Sequence, residues 1–551
     1  MKKKNFIYRI IEEEISRKKI KNICTRFPPD PNGNLHIGHV KSIYLNFNIA
    51  KYYNGNFNLR IDDTNPSEES EKYTKEIIND IRWLGLKWNG KIKYSSEYFE
   101  KFYEYAIYLI KKNLAYVDEL SKSSIRKYRG TLKTPGKNSP YRDRSISENL
   151  KIFENMKNGK FQEGKACLRA KIDMSSPNIN MRDPVFYRIK YKKHFRCSYK
   201  WCIYPTYDFS HCIADAIEGI THSICTLEFQ NNRPLYDWIL KSINFLKKPK
   251  QYEFSRLNIS YMITSKRKIN QLIKKNILFG WDDPRIPTIS GLRRRGYTAN
   301  SILKFCSKLG ISKQESIVES ELLESCIRSD LNKSAPRVMV VLDPIKLIIE
   351  NMYHKEEMLV FNNHPNVKSV GNRNVPFSKF IYIDRNDFLE KYEENRKVLS
   401  IGEKVRLRNS YVIQANSIKK DRHGNILEIY CTYDPKSLKK DFRNKEKLRA
   451  VIHWVSVIHG ITIKVNLYDK LFTIKHPFNY KEIESIINPL SLIVKKGIAE
   501  PSLANSKPGE IFQFEREGYF CADLKEHNSK NLIFNRIVEL KRYKFNKKRK
   551  K

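Results

Sequence analysis

The chain has 551 residues, 104 lysines and arginines against 60 aspartates and glutamates, a formal net charge of +44, and ten scattered cysteines with no C-x-x-C pair. That length exceeds what one hydrophobic core serves and implies three to five domains; the charge favours a polyanion such as RNA, DNA or an anionic membrane surface, although abundant Lys, Asn, Ile, Tyr and Phe, residues with A/T-rich codons, make part of the excess explicable by genome composition alone. Composition argues against a disulfide framework and a zinc site of the usual spacing, and the lack of an apolar run of about eighteen residues argues against a membrane helix and a secretory leader, so a reducing cytoplasm is expected.

In chain order, residues 20–28 (IKNICTRFP) predict a short buried strand ending at a Pro-Pro turn. A loop, Asp30-Pro31-Asn32-Gly33-Asn34, leads to a helix expected from His36 to Tyr53, with Val40, Ile43, Tyr44, Phe47 and Ala50 on its apolar side. NFNLRI (56–61) predicts a second strand, and Glu68 to Leu84 an amphipathic helix. Strand, helix, strand in this order argues for a right-handed parallel βαβ unit. A basic, tyrosine-rich stretch interrupts the alternation over 96–205, and an α/β pattern resumes after Trp201. Residues 259–335 read as helical; from 336 short apolar strands such as KFIYID, ILEIYCTYD and ITIKVNLYD predict an antiparallel β region with barrels. The terminal run FNKKRKK reads as a solvated tail, with contact to an RNA backbone as the alternative.

The strongest chemical signal is TRFPPDPNGNLHIGH, residues 25–39. Two histidines near a helix start are more often caps or surface residues than catalysts. Here they follow a first strand and open a first helix, whose free N–H groups and positive dipole end suit phosphate. Gly38 lets a planar base approach the backbone. His36 and His39 are placed to donate hydrogen bonds to oxygens whose charge grows in a displacement.

His36-Ile37-Gly38-His39 resembles the HIGH motif of class I aminoacyl-tRNA synthetases, and Ile263-Thr264-Ser265-Lys266-Arg267 stands where that class carries its KMSKS loop. Thr264 departs from that pattern's methionine, which bears on how the loop packs. Longer stretches, among them NLRIDDTNP, YRGTLKTPGKNSPYRDRS, KWCIYPTYDFSHCIADAIEGITHS, CTLEFQNNR and FQFEREGYF, resemble the bacterial glutaminyl-tRNA synthetases, and the resemblance runs from about residue 20 to about 540.

The resemblance implies an α/β Rossmann-type catalytic domain over 1–95 and 206–258, split by an inserted domain for the tRNA acceptor end over 96–205. A helical connector over 259–335, with the KMSKS-like loop at its start, and two β-barrel anticodon-binding domains over 336–551 would follow. It implies a monomer that binds tRNA(Gln), L-glutamine and ATP with Mg²⁺, without a membrane partner, a resident metal or a tightly bound cofactor. His36, His39 and Lys266 would be catalytic, Lys266 holding the β- and γ-phosphates. ATP would be bound by Asp30, Pro31, Asn32, His36 to Ser42 (including Ile37, Gly38, His39, Val40 and Lys41), Thr226, Arg256, Leu257, Thr264, Ser265 and Lys266. Arg26, Asp62 and Tyr207 would bind glutamine; otherwise they are a surface arginine, a strand-end carboxylate and a core tyrosine. Leu132 would wedge open the first acceptor pair, and otherwise pack on its own domain. Asn231 stands where the bacterial pattern has Asp, which adds a donor and removes a charge, so discrimination among acceptor stems is expected to relax. Arg337 and Gln513 would read the middle anticodon base, with Arg406 and Arg408 as further candidates; each could instead be a phosphate contact or a surface charge. The family requires tRNA for amino-acid activation, and the same is expected here. Two rival readings remain: a glutamyl-tRNA synthetase of the archaeal or eukaryotic type, and a non-catalytic RNA-binding derivative.

Overall fold

The computed structural model describes residues 5–17, 22–354, 356–438 and 448–540; the basic run at 545–551 and residues 20–21 of the first expected strand lie outside them. The chain divides into two compact units, Met1–Ile259 with Leu303–Val318, and Ser260–Ile302 with Glu319–Lys551.

In the first unit, α1 (Phe6–Ser16) is started by Asn5, whose side chain accepts the N–H groups of Ile7 and Tyr8. β1 (Cys24–Phe27), α2 (Ile37–Tyr52) and β2 (Asn56–Ile61) form the expected βαβ unit, with Cys24 opposite Asn56 in a parallel ladder. α3 (Glu71–Trp83) starts three residues later than expected, because Ser70 caps it by accepting the Tyr73 N–H. β3 (Lys93–Tyr94) extends the sheet beside β2.

The chain then forms α4 (Phe99–Lys111), β4 (Ala115–Asp118), α5 (Lys122–Arg129), α6 (Ile146–Lys157), β5 (Cys167–Ala170), β6 (Val185–Ile189) and β7 (Ile203–Pro205), the four strands antiparallel in chain order. α7 (Tyr207–Ile217), β8 (His222–Thr226), α8 (Arg233–Ser242) and β9 (Lys250–Phe254) restore the α/β alternation, with β8 and β9 parallel. Thr221 N–H donates to the Cys24 carbonyl (2.9 Å), which sets β8 beside β1. One apolar cluster joins Phe102, Phe153, Leu168 and Phe186 to Phe209, Ile213 and Ile239, so the antiparallel segment shares its core with the helices that follow it. β10 (Leu257–Ile259) pairs in parallel with β11 (Ser316–Val318).

The second unit opens with α9 (Lys266–Lys274) and α10 (Ile289–Arg295); α11 (Ala299–Lys308) leads the chain away and α12 (Ser320–Leu331) brings it back. Its strands are β12 (Arg337–Val338), β13 (Val340–Val341), β14 (Pro344–Ile349), β15 (Glu356–Asn362), β16 (Asn372–Ser378), β17 (Phe380–Asp384), β18 (Lys404–Leu407), β19 (Val412–Lys420) and β20 (Ile426–Asp434). They continue as β21 (Val451–Ile452), β22 (Trp454–Ser456), β23 (Ile461–Tyr468), β24 (Leu492–Ala499), β25 (Ile511–Phe514), β26 (Gly518–Ala522) and β27 (Ile533–Glu539).

Among the described residues, two sheets of seven strands form, in the orders β21-β18-β19-β20-β14-β17-β22 and β12-β25-β26-β27-β23-β24-β13. The two edges of each sheet are successive pieces of one short segment, split at His453 in the first and at Met339 in the second, so each sheet must curl until its edges meet. The cores are apolar, with Leu347, Phe377 and Trp454 in one and Val465, Phe514 and Phe534 in the other. The expected antiparallel barrels need one correction: β21 with β18, β20 with β14, β12 with β25 and β27 with β23 are parallel. Only strands joined by a hairpin are bound to be antiparallel, and these pairs join distant parts of the chain.

Candidate active site

α2 begins at a histidine pair. His36 is its N-cap: its Nδ1 accepts the Gly38 N–H (3.1 Å), and the His36 N–H donates to His39 Nδ1 (3.1 Å). The two rings stack with centroids 3.8 Å apart. Because both Nδ1 atoms accept, the proton of each neutral ring sits on Nε2, so both rings present Nε2 as a donor. The histidines are thus caps and oriented donors at once. A Cβ on Gly38 would come within 2.9 Å of the His36 ring, so only glycine lets that ring fold over the helix start. The preceding loop is tied to β2 and α3: Asp62 N–H donates to the Pro29 carbonyl (3.0 Å) and Ser70 N–H to that of Pro31 (3.0 Å). Asp30 is exposed and Asn32 half-buried. Val40 is buried and Ser42 half-buried. Lys41 is turned inward, its Nζ donating to the Ser255 carbonyl (2.7 Å).

Beside the strand ends lies a buried lattice of charge. Asp62 accepts from Arg60 Nε (2.6 Å) and Ser95 Oγ (2.6 Å), and His211 Nδ1 lies 3.3 Å from it. Burial alone would raise its pKa, but Arg60 and His211 outweigh that and hold the carboxyl well below the usual range, so it is ionised. Arg26 is buried, not the surface arginine of the alternative reading: Nε donates to Asp215 (3.1 Å), Nη1 to the Ile224 carbonyl (3.1 Å) and Nη2 to Ser223 Oγ (2.6 Å), with His211 Nε2 2.8 Å from Nη2. Asp215 also accepts from Arg60 Nη1 (2.8 Å) and Tyr236 Oη (3.0 Å). Tyr207 opens α7 with its ring stacked on His211, centroids 4.7 Å apart. Burial pushes its phenol far above the ordinary value, so the hydroxyl keeps its proton. Arg26, Asp62 and Tyr207 are therefore brought together around His211.

Residue-type patterns did not reveal Arg60, Asp215 or His211, nor two further carboxyls near Asp62. Asp63 accepts from Ser96 N–H (2.8 Å) and Oγ (2.7 Å), and burial pushes it up to about 7. Glu69 accepts the Asn65 N–H (2.8 Å) and is pushed up to about 9, again by burial. Thr226 Oγ1 donates to Glu228 (2.7 Å) at the end of β8; Arg256 is exposed and Leu257 buried between β9 and the body of β10. Thr264, Ser265 and Lys266 belong to the second unit. The expected loop is a helix start there: Lys266 is the first residue of α9, because Ile269 and Leu272, one turn on, anchor in an apolar cluster with Ile263.

Leu132 is 80% exposed, not packed on its own domain. Its turn is held from beneath by Arg182, whose Nη1 donates to the carbonyls of Arg129, Thr131 and Thr134 (2.9, 2.8 and 2.9 Å), a clamp that no sequence spacing signals. Asn231 is exposed, its carbonyl accepting from Asn178 (2.8 Å). In the second unit Arg337 and Gln513 are direct partners across the parallel β12–β25 ladder, and Glu515, two residues on, accepts from Arg408 (3.2 Å). Arg406 Nη1 donates to the carbonyls of Ser410 (3.1 Å) and Ser437 (2.9 Å) in its own barrel. Among the described residues no helix is long and apolar enough to cross a membrane.

Residues 22–333 match the family model described as tRNA synthetases class I (E and Q), catalytic domain; 335–434 and 451–523 match the anti-codon binding domain models of the same family. Similar curated proteins include the Glutamine--tRNA ligase of Proteus mirabilis (strain HI4320), 57% identical over 537 residues, 98% of this chain and 97% of that one. That of Escherichia coli O157:H7 (strain EC4115 / EHEC) is 56% identical over the same shares. A solved glutamate tRNA ligase from Elizabethkingia meningosepticum CCUG26117, in complex with its amino acid, aligns over 57% of this chain and 70% of its own at 18% identity and a TM-score of 0.44.

Proposed function

The chain belongs to the class I tRNA synthetases of the E and Q branch, and from that premise we infer how its residues join glutamine to tRNA with ATP as the energy source. It is a glutamine–tRNA ligase; the observation that carries this is 57% identity, across 98% of the chain, to proteins of that activity. Neither the glutamyl nor the non-catalytic alternative is favoured.

The reaction takes two steps. The glutamine carboxylate attacks the α-phosphorus of ATP, brought as its Mg²⁺ complex, and pyrophosphate leaves. The 2′-hydroxyl of the terminal adenosine of tRNA(Gln) then attacks the carbonyl of the adenylate, and AMP leaves. No protein nucleophile is needed; the enzyme positions the reactants and stabilises developing charge. The Nε2 donors of His36 and His39, beside the positive end of α2, suit the phosphate oxygens. Lys266, heading α9, is assigned to the β- and γ-phosphates, and Thr226, Arg256, Leu257, Thr264 and Ser265 to the rest of the nucleotide.

Asp62, held ionised, would take the α-ammonium and Tyr207 the side-chain amide. Arg26 supports that pocket from below, since each of its guanidinium nitrogens already has a protein partner. Glutamate would put a carboxylate stripped of its water where Tyr207 is assigned to the neutral amide, and a polar site of this kind discriminates by a factor on the order of 10⁴ without editing. Residues 96–205 are assigned to the acceptor end, with Leu132 and Asn231 at the RNA, and 259–335 to the connector. Arg337 and Gln513 are assigned to an anticodon base, which as an unpaired base is read by its edges; Arg408 flanks them, and Arg406 supports the barrel. Charging total tRNA with labelled glutamine and glutamate in parallel tests the reading: glutamine is incorporated and glutamate is not. Pyrophosphate exchange that needs tRNA supports the coupled first step, and full exchange without it refutes that step.

A further inference from the structure

Lys41 is five residues beyond the cap of α2, roughly 7.5 Å along the helix axis from His36, and on the same face as Gly38, three residues before it. Its side chain is 5% exposed. Nζ donates to the Ser255 carbonyl (2.7 Å), stands 3.5 Å from Ser255 Oγ and lies over the Phe254 ring, 5.3 Å from its centroid. Buried ammonium groups are nearly always paired with a carboxylate, yet among the described residues none is paired with this one. Of the titratable groups on α2, on the Phe254–Leu257 segment and around residues 303–308, only the Cys306 thiol bears on its charge. Burial brings the group down to about 8. A cation in the second turn also opposes the helix dipole, so an anion bound at the start of α2 would offset both.

The acceptor of this bond is equally specific. Ser255 is buried, anchored by its own N–H to the Ser312 carbonyl (2.8 Å), and immediately precedes Arg256 and Leu257. The ammonium therefore ties the helix that carries the histidines to the segment assigned to the other end of the nucleotide.

We propose that Lys41 is a positioning residue for amino-acid activation, acting through the Ser255 carbonyl to hold Arg256–Leu257 in register with His36–His39, its buried charge balanced by the bound triphosphate rather than by a protein carboxylate. This rests on the nucleotide reading above and sharpens it: Lys41 does not touch ATP.

The test compares wild type, Lys41→Met and Lys41→Arg, full length, in glutaminylation at saturating tRNA and, separately, in the shift of the thermal melt on adding ATP with Mg²⁺. In Lys41→Met the KM for ATP rises about tenfold while the KM for glutamine stays and kcat falls less than threefold; Lys41→Arg recovers at least part of the ATP affinity. In wild type the ATP-induced shift of the melt weakens as pH rises from 7 through about 9, and in Lys41→Met that dependence is lost. The melt needs no turnover, so it remains informative if Lys41→Met is poorly active. A Lys41→Met protein that is less stable but keeps the wild-type KM for ATP and the wild-type pH dependence would overturn the proposal and leave Lys41 a packing residue. Absence of glutamine charging in wild type would instead overturn the function on which the proposal rests, while the ATP shift would still report on Lys41.

Discussion

The two units present polar side chains to their ligands by opposite means. In the first, the residues assigned to glutamine rest on a fully buried lattice in which Arg26, Arg60, Asp62, Asp215 and His211 share partners. In the second, two barrels keep their cores apolar and carry Arg337, Gln513, Arg408 and Glu515 on β12, beside β18 and on or beside β25. A shared lattice couples fold and site, because each charge is another's compensation. A barrel wall separates them, because the apolar interior stands without the charges on its strands.

The sharpest break of that comparison is Asp215→Asn. The change takes from buried Arg26 its carboxylate partner, while Arg60 keeps Asp62 and Glu218, and removing one partner of a buried pair costs about 3–5 kcal/mol. Urea unfolding of the first unit should show that loss together with a raised KM for glutamine. Stability unchanged within error would mean that water, not the carboxylate, compensates the arginines. Next comes His39→Ala. Losing a donor aimed at developing charge lowers kcat by about 10²–10³, while losing one cap bond costs only about 1 kcal/mol of stability. A melt lowered without a change in kcat would return His39 to a purely structural cap. On the barrel side, Arg337→Ala should weaken tRNA binding by about 1–3 kcal/mol and leave the melt and both small-substrate KM values alone. A stability loss there as large as that for Asp215→Asn would erase the distinction between the units.

How much of this was legible follows the same division. The βαβ start and the histidine motif are local: NFNLRI alternates as a strand and begins and ends where expected, and His36 caps its own helix, so sequence spacing carries both. The lattice is not local. Arg60 meets Asp215 across 155 positions and Arg26 meets it across 189, a separation no periodicity encodes, which is why a surface arginine stayed open as the alternative for Arg26. Strands such as β20 and β23 run for eight or nine residues, whereas the segments that close the barrels are only two or three residues long per strand, too short for their spacing to tell which distant strands they pair with. Their pairing makes the sheets mixed and brings Arg337 beside Gln513; the family likeness had picked out both residues, and the register sets them side by side. Arg182 binds only carbonyls, so nothing in its surroundings in the sequence marks it.

The smallest expected effect tests whether α1 belongs to the first unit's charge economy. Glu14 accepts from His222 Nε2 (3.1 Å), Tyr252 Oη (3.0 Å) and Lys250, and the bond with His222 first, then Lys250 and Tyr252, hold its carboxyl at about 2 against burial. A carboxyl depressed in the folded state stabilises fully above its unfolded value of about 4.5, and that contribution disappears as pH falls towards about 2. The difference in urea midpoint between wild type and Glu14→Gln should therefore be constant from pH 5 to 7 and shrink below about 4.5. It should be modest, because Lys250 is half exposed and solvent screens the pair. A difference that instead stayed constant down to about pH 2 would mean that the Glu14 charge contributes nothing to holding α1. The helix would then be held by its apolar contacts through Ile7 and Ile11 alone.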